Sequence, residues 1–322
     1  MNTNSLLKKT IRFSQQTIFK YLFLLLEVPF YYYFYHRQKR GHEIDGKLFR
    51  FIQIFSNGRL YTLYRRKKHR VLSSNLRQEN KIDNYVHELT NKSFVKLFDI
   101  NKDDVKKTYD FFTNQKIYNS HVPFNDVFPN KLISVNEFLN TQDYHYGAYD
   151  IETSLNSQIV KKLCKSEIIW DVARRYLASD KAKIYSINSM LTKQSKKMNY
   201  VVKMHKDFDC ASSVTFFVYW TDVSKNNGAT RILPGNHLFE HDKKVQTHIS
   251  ESIVQYLEGN SGSVFAVDTW ALHAGNPIIA SPRLVTWIRF SSMPAKAYFL
   301  DNNYLFENNL NDYTFYNRGN GV

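Results

Sequence analysis

The stretch Tyr200-Val201-Val202-Lys203-Met204-His205-Lys206-Asp207 reads as an extended strand that ends on two side chains of metal-binding type. Alternate residues of a strand share a face, so His205 and Asp207 point one way and Lys206 the other. His273 follows 68 positions later, just past a strand expected to end near Asp268, and Arg283 opens the next strand. Two imidazoles and one carboxylate leave half of an octahedral ion's positions open, the pattern of a non-haem Fe(II) centre; a closed structural zinc site would need a fourth protein ligand. Asp209 lies on the same strand face and competes with Asp207. The one-residue gap favours Asp207, because Asp209 sits a further pleat away.

Working outward, the sequence after Asp180 turns strand-rich, with segments at 183–191, 200–207, 214–221, 229–233, 263–268 and 284–290. Turns separate them. Asn226-Asn227-Gly228 reads as a reversal in which Gly228 supplies a backbone angle that other residues resist, and Pro234-Gly235-Asn236-His237 reads as a second. Many short strands with such turns predict a barrel or sandwich. Upstream, Val86, Leu89, Phe94, Leu97, Val105, Tyr109 and Phe112 recur at helical steps, and 157–178 predicts one longer helix with Ile159, Leu163, Ile169, Val172, Ala173 and Tyr176 inward. A loop with two prolines is expected at 122–129.

The chain of 322 residues is 43% hydrophobic, enough for one sizeable core. Cys164 and Cys210 make neither a metal spacing nor a disulfide framework, so both read as reduced packing residues of a protein inside the cell. The net charge of +15 is uneven: residues 1–82 hold 17 Lys and Arg against 4 Asp and Glu, and the remainder is close to balanced. This quarter begins with Lys8, Lys9, Arg12 and Lys20 before an aromatic stretch at 21–35. Glu27 and Pro29 interrupt that stretch, which is short for a membrane span and lacks a signal-peptide cleavage site. Segments 47–55 and 59–64 around Ser56-Asn57-Gly58 predict a hairpin. The run Arg65-Arg66-Lys67-Lys68-His69-Arg70 then reads first as a solvated surface, with an anionic membrane or an acidic partner as the alternative use. No specific nucleic-acid motif accompanies it.

A lone histidine in a chain with 11 is more often structural than chemical. His237, His241 and His248 therefore read as turn, surface or supporting residues rather than as a second metal site.

The run from Met204 through Phe290 resembles the phytanoyl-CoA dioxygenase family. The resemblance is carried by His205-Lys206-Asp207, by Asp222-Val223-Ser224-Lys225-Asn226-Asn227-Gly228-Ala229-Thr230, by Pro234-Gly235-Asn236-His237, and by Gly262-Ser263-Val264-Phe265 leading to His273 and Arg283. Arg175-Tyr176-Leu177 and 182–191 resemble the family's lead-in, so that the likeness spans roughly residues 90–295. It implies an α+β, mainly β fold: a double-stranded β-helix (jelly roll, cupin-like) flanked by N-terminal helices. On that reading residues 1–82 are a basic aromatic extension and 83–322 an oxygenase domain, with helices over 83–180 and a core over 181–295.

The same resemblance implies the cofactor Fe(II) with the co-substrates 2-oxoglutarate and O2. His205, Asp207 and His273 then hold iron, and Arg283 grips the distal carboxylate of 2-oxoglutarate, with Arg289 as the fallback. A guanidinium suits a carboxylate because two parallel hydrogen bonds reinforce the charge pairing. Halogenating relatives replace the carboxylate ligand by a small residue, so Asp207 points to hydroxylation of a C–H bond in a small organic substrate. Phe216, Phe217, Tyr219 and Trp270 are candidates for the pocket wall. The competing reading is a non-catalytic jelly-roll binding module whose basic segment docks on an acidic partner or membrane surface, in a cytoplasmic or membrane-peripheral setting.

Overall fold

The computed structural model describes residues 29–37, 48, 51–52, 56, 59–75, 80–119, 131–142, 144–195, 203–207, 210–239, 250–292, 299–301 and 316–318. Two layers of β-structure face each other. The strands are β1 (Phe94–Asp99), β2 (Lys116–Tyr118), β3 (Leu132–Ser134), β4 (Tyr146–Tyr149), β5 (Lys183–Thr192), β6 (Ser213–Tyr219), β7 (Thr230–Ile232), β8 (Gln255–Leu257), β9 (Ser263–Val267), β10 (His273–Gly275) and β11 (Arg283–Ser291). The larger sheet runs β1-β9-β6-β11-β5-β4-β2-β3, and the smaller runs β10-β7-β8. All pairings are antiparallel. His205 adds its segment to the free side of β10 through an isolated bridge to His273. The order β9-β6-β11-β5 opposite the 203–207 segment, β10, β7 and β8 is that of a double-stranded β-helix, as expected.

Alternation decides what each face meets. On β6, Val214, Phe216 and Val218 point to the helical side, where they pack with Leu284, Ile288 and Phe290 of β11 and with helix residues such as Leu89, Ile169 and Trp170. Phe217 and Tyr219 point the other way, between the sheets, with Val223, Ile232, Leu257, Phe265 and Val285. Burying each such side chain contributes on the order of 1.5–3 kcal/mol, and a slip of one residue would exchange the two sets and misfit both packed faces.

The helices are α1 (Arg59–Asn75), α2 (Lys81–Lys92), α3 (Lys102–Thr113), α4 (Val135–Asn140), α5 (Ile151–Asn156), α6 (Gln158–Cys164) and α7 (Glu167–Leu177). Local chemistry sets their ends. The Asn80 side chain accepts from Asp83 N–H at 3.0 Å to start α2, and Ser93 closes it in the left-handed region at φ 73°. The single helix expected over 157–178 is broken at Lys165 and Ser166, where Trp170 donates its indole N–H to the Cys164 carbonyl at 2.8 Å.

The hairpin expected over 47–64 is not formed. Residues 48, 51, 52 and 56 are helical and α1 is one continuous helix. Its buried face explains why: Leu60, Tyr61, Tyr64 and Arg65 recur at helical spacing against the body of the protein. Residues 29–37 are also helical, with Phe34 wholly buried against Tyr61 and Tyr64. The expected proline-rich loop at 122–129 and residues 200–202 lie outside the described residues. No helix among the described residues is long and apolar enough to cross a membrane.

Candidate metal centre

Three segments converge at one end of the barrel. The His205 and His273 backbones each donate N–H to the other's carbonyl at 2.9 Å, and Asp207 N–H donates to the Thr269 carbonyl at 2.9 Å. These bonds set the chain of 203–207 alongside the turn that leads into β10. The consequence is a group of three side chains, His205, Asp207 and His273, each offering a donor atom within 4.8 Å of the others. Among the described residues it is the one such group with ligand potential.

The hydrogen bonds fix which nitrogen faces inward. His205 Nδ1 lies 2.8 Å from the Lys203 carbonyl and His273 Nδ1 lies 3.0 Å from the Ala271 carbonyl. A carbonyl only accepts, so each Nδ1 carries the proton and each Nε2 keeps its lone pair. Those lone pairs face the Asp207 carboxylate, at 3.7 Å from Oδ1 for His205 and 3.8 Å from Oδ2 for His273. Such gaps are too long for hydrogen bonds. Three cis ligands with bonds of about 2.1 Å stand about 3 Å apart, so closing on an ion requires only modest side-chain movement. Burial and the neighbouring His205 push the His273 imidazole down to about 4, which keeps it in the neutral, ligating form. The donor set therefore fits a divalent transition metal with open positions.

Lys206 points away, as the strand period requires, and donates to the Asn236 and Phe239 carbonyls at 2.8 and 2.9 Å. Asp209 lies outside the described residues, as do His241 and His248. His237 is buried, with its Nδ1 2.9 Å from Ser93 Oγ, and is not one of the three gathered ligand residues.

Arg283 opens β11 at 6% exposure and donates to the Gly228 carbonyl. Gly228 sits at φ 89°, and a Cβ there would meet Ile278 at 2.8 Å, so the turn needs glycine. Among the described residues no carboxylate pairs with Arg283, while Tyr146 and Tyr219 stand near it. Arg289 is placed differently. Its Nη1 lies 3.2 Å from Asp207 Oδ2, beside the candidate ligand carboxylate.

Of the four expected wall residues, Phe217 and Tyr219 face the space between the sheets. Phe216 belongs to the helical side and Trp270 to an aromatic cluster with Tyr61, Tyr64 and Phe34. A cavity of 680 Å³ opens elsewhere, between β1, α3 and α6, and none of the site residues lines it. Sequence reading missed the contribution of Arg65, Ala211 and Asp268 around the metal group, because long-range contacts leave no local pattern.

Residues 144–281 match the family model described as phytanoyl-CoA dioxygenase. The match includes His205, Asp207 and His273 and stops two positions before Arg283. No curated protein sequence matches the chain. Solved structures similar to it include the non-haem α-ketoglutarate-dependent epimerase SnoN from nogalamycin biosynthesis, at 13% identity over 65% of this chain and 82% of that one, TM-score 0.47. EctD from S. alaskensis with bound Fe is similar at 15% identity over 64% and 75%, TM-score 0.45. HygX from Streptomyces hygroscopicus with nickel, 2-oxoglutarate and hygromycin B is similar at 11% identity over 65% and 86%, TM-score 0.45.

Proposed function

We propose that the protein is an Fe(II)- and 2-oxoglutarate-dependent oxygenase that hydroxylates a C–H bond of a small organic substrate. The observation that carries this reading is the pair of imidazole lone pairs turned onto one carboxylate, each locked by its other nitrogen to a backbone carbonyl. A non-catalytic module has no evident need for an open ligand set.

His205, Asp207 and His273 are the residues that would hold iron. Bound there with 2-oxoglutarate and O2, iron supplies the oxidation that puts one oxygen atom into succinate, with release of carbon dioxide, and the other into the substrate. The chain's own part is placement. Arg289 keeps the Asp207 carboxylate turned toward the two imidazoles. Arg283 offers a buried cation, with no carboxylate partner among the described residues, to an anionic group, which is how we assign it the distal carboxylate of 2-oxoglutarate. Phe217, Tyr219 and Val285 form part of the apolar packing between the sheets. The His205 side chain, 30% exposed, marks the side from which a substrate would approach. Asp207 occupies the place a halide would need, which favours hydroxylation.

The test is turnover of 2-oxoglutarate to succinate by the Fe(II)-loaded protein, which His205→Ala should abolish. Undiminished succinate release in that variant would refute the ligand assignment.

Tyr32, Tyr33, Tyr35 and Phe51 are exposed aromatic side chains in the strongly basic N-terminal quarter. They support a second assignment, docking on an anionic membrane surface. Co-sedimentation with phosphatidylserine vesicles should fall in high salt and in the double variant Tyr32→Ser, Tyr35→Ser. Binding unaffected by both would dismiss it.

A further inference from the structure

We infer that Arg65 is a positioning residue of the metal centre, so that the basic helix α1 belongs to the catalytic machinery. The inference rests on the metal-site reading above. Arg65 is 5% exposed, and its guanidinium pairs with Asp268, which is wholly buried. Asp268 is not an isolated acid: it also accepts the Tyr176 hydroxyl, and its Oδ1 accepts Trp270 N–H at 3.0 Å. Its own N–H donates to the Ser93 carbonyl. These bonds shape the turn between β9 and β10.

That turn touches all three candidate ligands. Thr269, the next residue, gives its carbonyl to Asp207 N–H, Ala271 gives its carbonyl to His273 Nδ1, and His273 pairs with His205 through the backbone. The same guanidinium reaches the Ala211 carbonyl at 3.5 Å and stacks over the Trp270 ring at 4.7 Å. Trp270 in turn donates its indole N–H to the Cys210 carbonyl at 3.0 Å. Arg65 therefore grips the segment just after Asp207 and the segment just before His273 together. Neighbouring bonds from the same helix reinforce the grip: Arg66 Nε to the Leu238 carbonyl at 2.6 Å and Lys68 Nζ to Ser212 Oγ at 2.5 Å. A buried pair of this kind contributes little net stability, because desolvation offsets the Coulomb gain, but it fixes geometry. Outer partners of metal ligands commonly change affinity by about 10–100-fold.

The experiment titrates the full-length protein anaerobically with Co(II), read by its d–d absorption, and follows thermal unfolding in parallel. Arg65→Met should raise the Co(II) dissociation constant by about tenfold or more and alter the band shape, with Arg65→Lys recovering part of the loss. Asp268→Asn, which keeps the acceptor for Trp270 N–H but drops the charge, should fall between. Val160→Ala, a core truncation remote from the turn, should lower the unfolding temperature and leave Co(II) affinity unchanged. If Arg65→Met does not fold, Arg65→Lys and Asp268→Asn decide. Wild-type affinity and spectrum in the folded Arg65 and Asp268 variants would overturn the inference, as would an equal loss in Val160→Ala. A wild-type protein that binds no Co(II) would instead sink the metal-site reading itself.

Discussion

His205 and His273 face each other as backbone partners, each amide donating to the other's carbonyl at 2.9 Å, and their rings lie 4.5 Å apart between centroids. An ion bound by both rings would cross-link segments that are 68 positions apart. Metal should thus stabilise the fold by mass action, by about 2.7 kcal/mol at a hundredfold excess over the dissociation constant. Thermal unfolding with and without Co(II) checks this, and Asp207→Ala should remove most of the gain. The same unfolding temperature with and without metal would count against the site.

Arg283 is expected to act on the co-substrate and not on the metal. Arg283→Met should raise the 2-oxoglutarate concentration needed for half-maximal turnover by about 30-fold or more, equivalent to losing about 2 kcal/mol of a buried charge-assisted contact. Co(II) affinity should stay within about twofold. Removing a buried cation with no carboxylate partner among the described residues relieves desolvation, so the variant without ligands should unfold at the wild-type temperature or above. A clear loss of stability with an unchanged 2-oxoglutarate requirement would assign Arg283 a purely structural role.

Gly228 carries the carbonyl that receives Arg283, from a backbone angle of φ 89°. Gly228→Ala forces a side chain into the left-handed region and against Ile278, at a cost of about 1–3 kcal/mol. Because the carbonyl moves with the turn, 2-oxoglutarate affinity should weaken together with stability. Isothermal titration and urea unfolding measure the two; a stable variant with normal affinity would show that the turn tolerates the methyl group.

His237 predicts an acid-side loss of stability. Burial pushes its imidazole down to about 3 in the folded protein, below the ordinary value near 6.5. The unfolded chain thus takes up this proton first as pH falls. The stabilisation is complete above about pH 6.5 and drains away toward pH 3, with a slope of up to about 1.4 kcal/mol per pH unit. In His237→Gln the dependence of urea unfolding on pH between 4 and 6 should flatten by one proton. An unchanged slope would place the proton uptake on other groups, His273 first among them.

Much of the centre was legible because it is written in local periods. The shared face of His205 and Asp207 and the glycine requirement at Gly228 follow from backbone geometry that neighbours in sequence reveal. The helix α1 was misread as a hairpin because its aromatic and branched residues favour strands when scanned for composition. Its burial period was nonetheless present: Leu60, Tyr61, Tyr64 and Arg65 lie on one helical face, and the basic residues had to be counted as inward for the pattern to show. The pairing of Arg65 with Asp268 could not be read at all, since no spacing rule connects residues so distant.

The separation between those two partners, 203 residues, bears on how the chain reaches its folded form. Translation at about 5–20 residues per second presents α1 some 10–40 seconds before Asp268 exists. During that interval Arg65 lacks the carboxylate that it pairs with in the folded protein. The closing turn of the barrel must arrive before Arg65 can find its partner, so assembly of the nascent polypeptide is gated from its distal part.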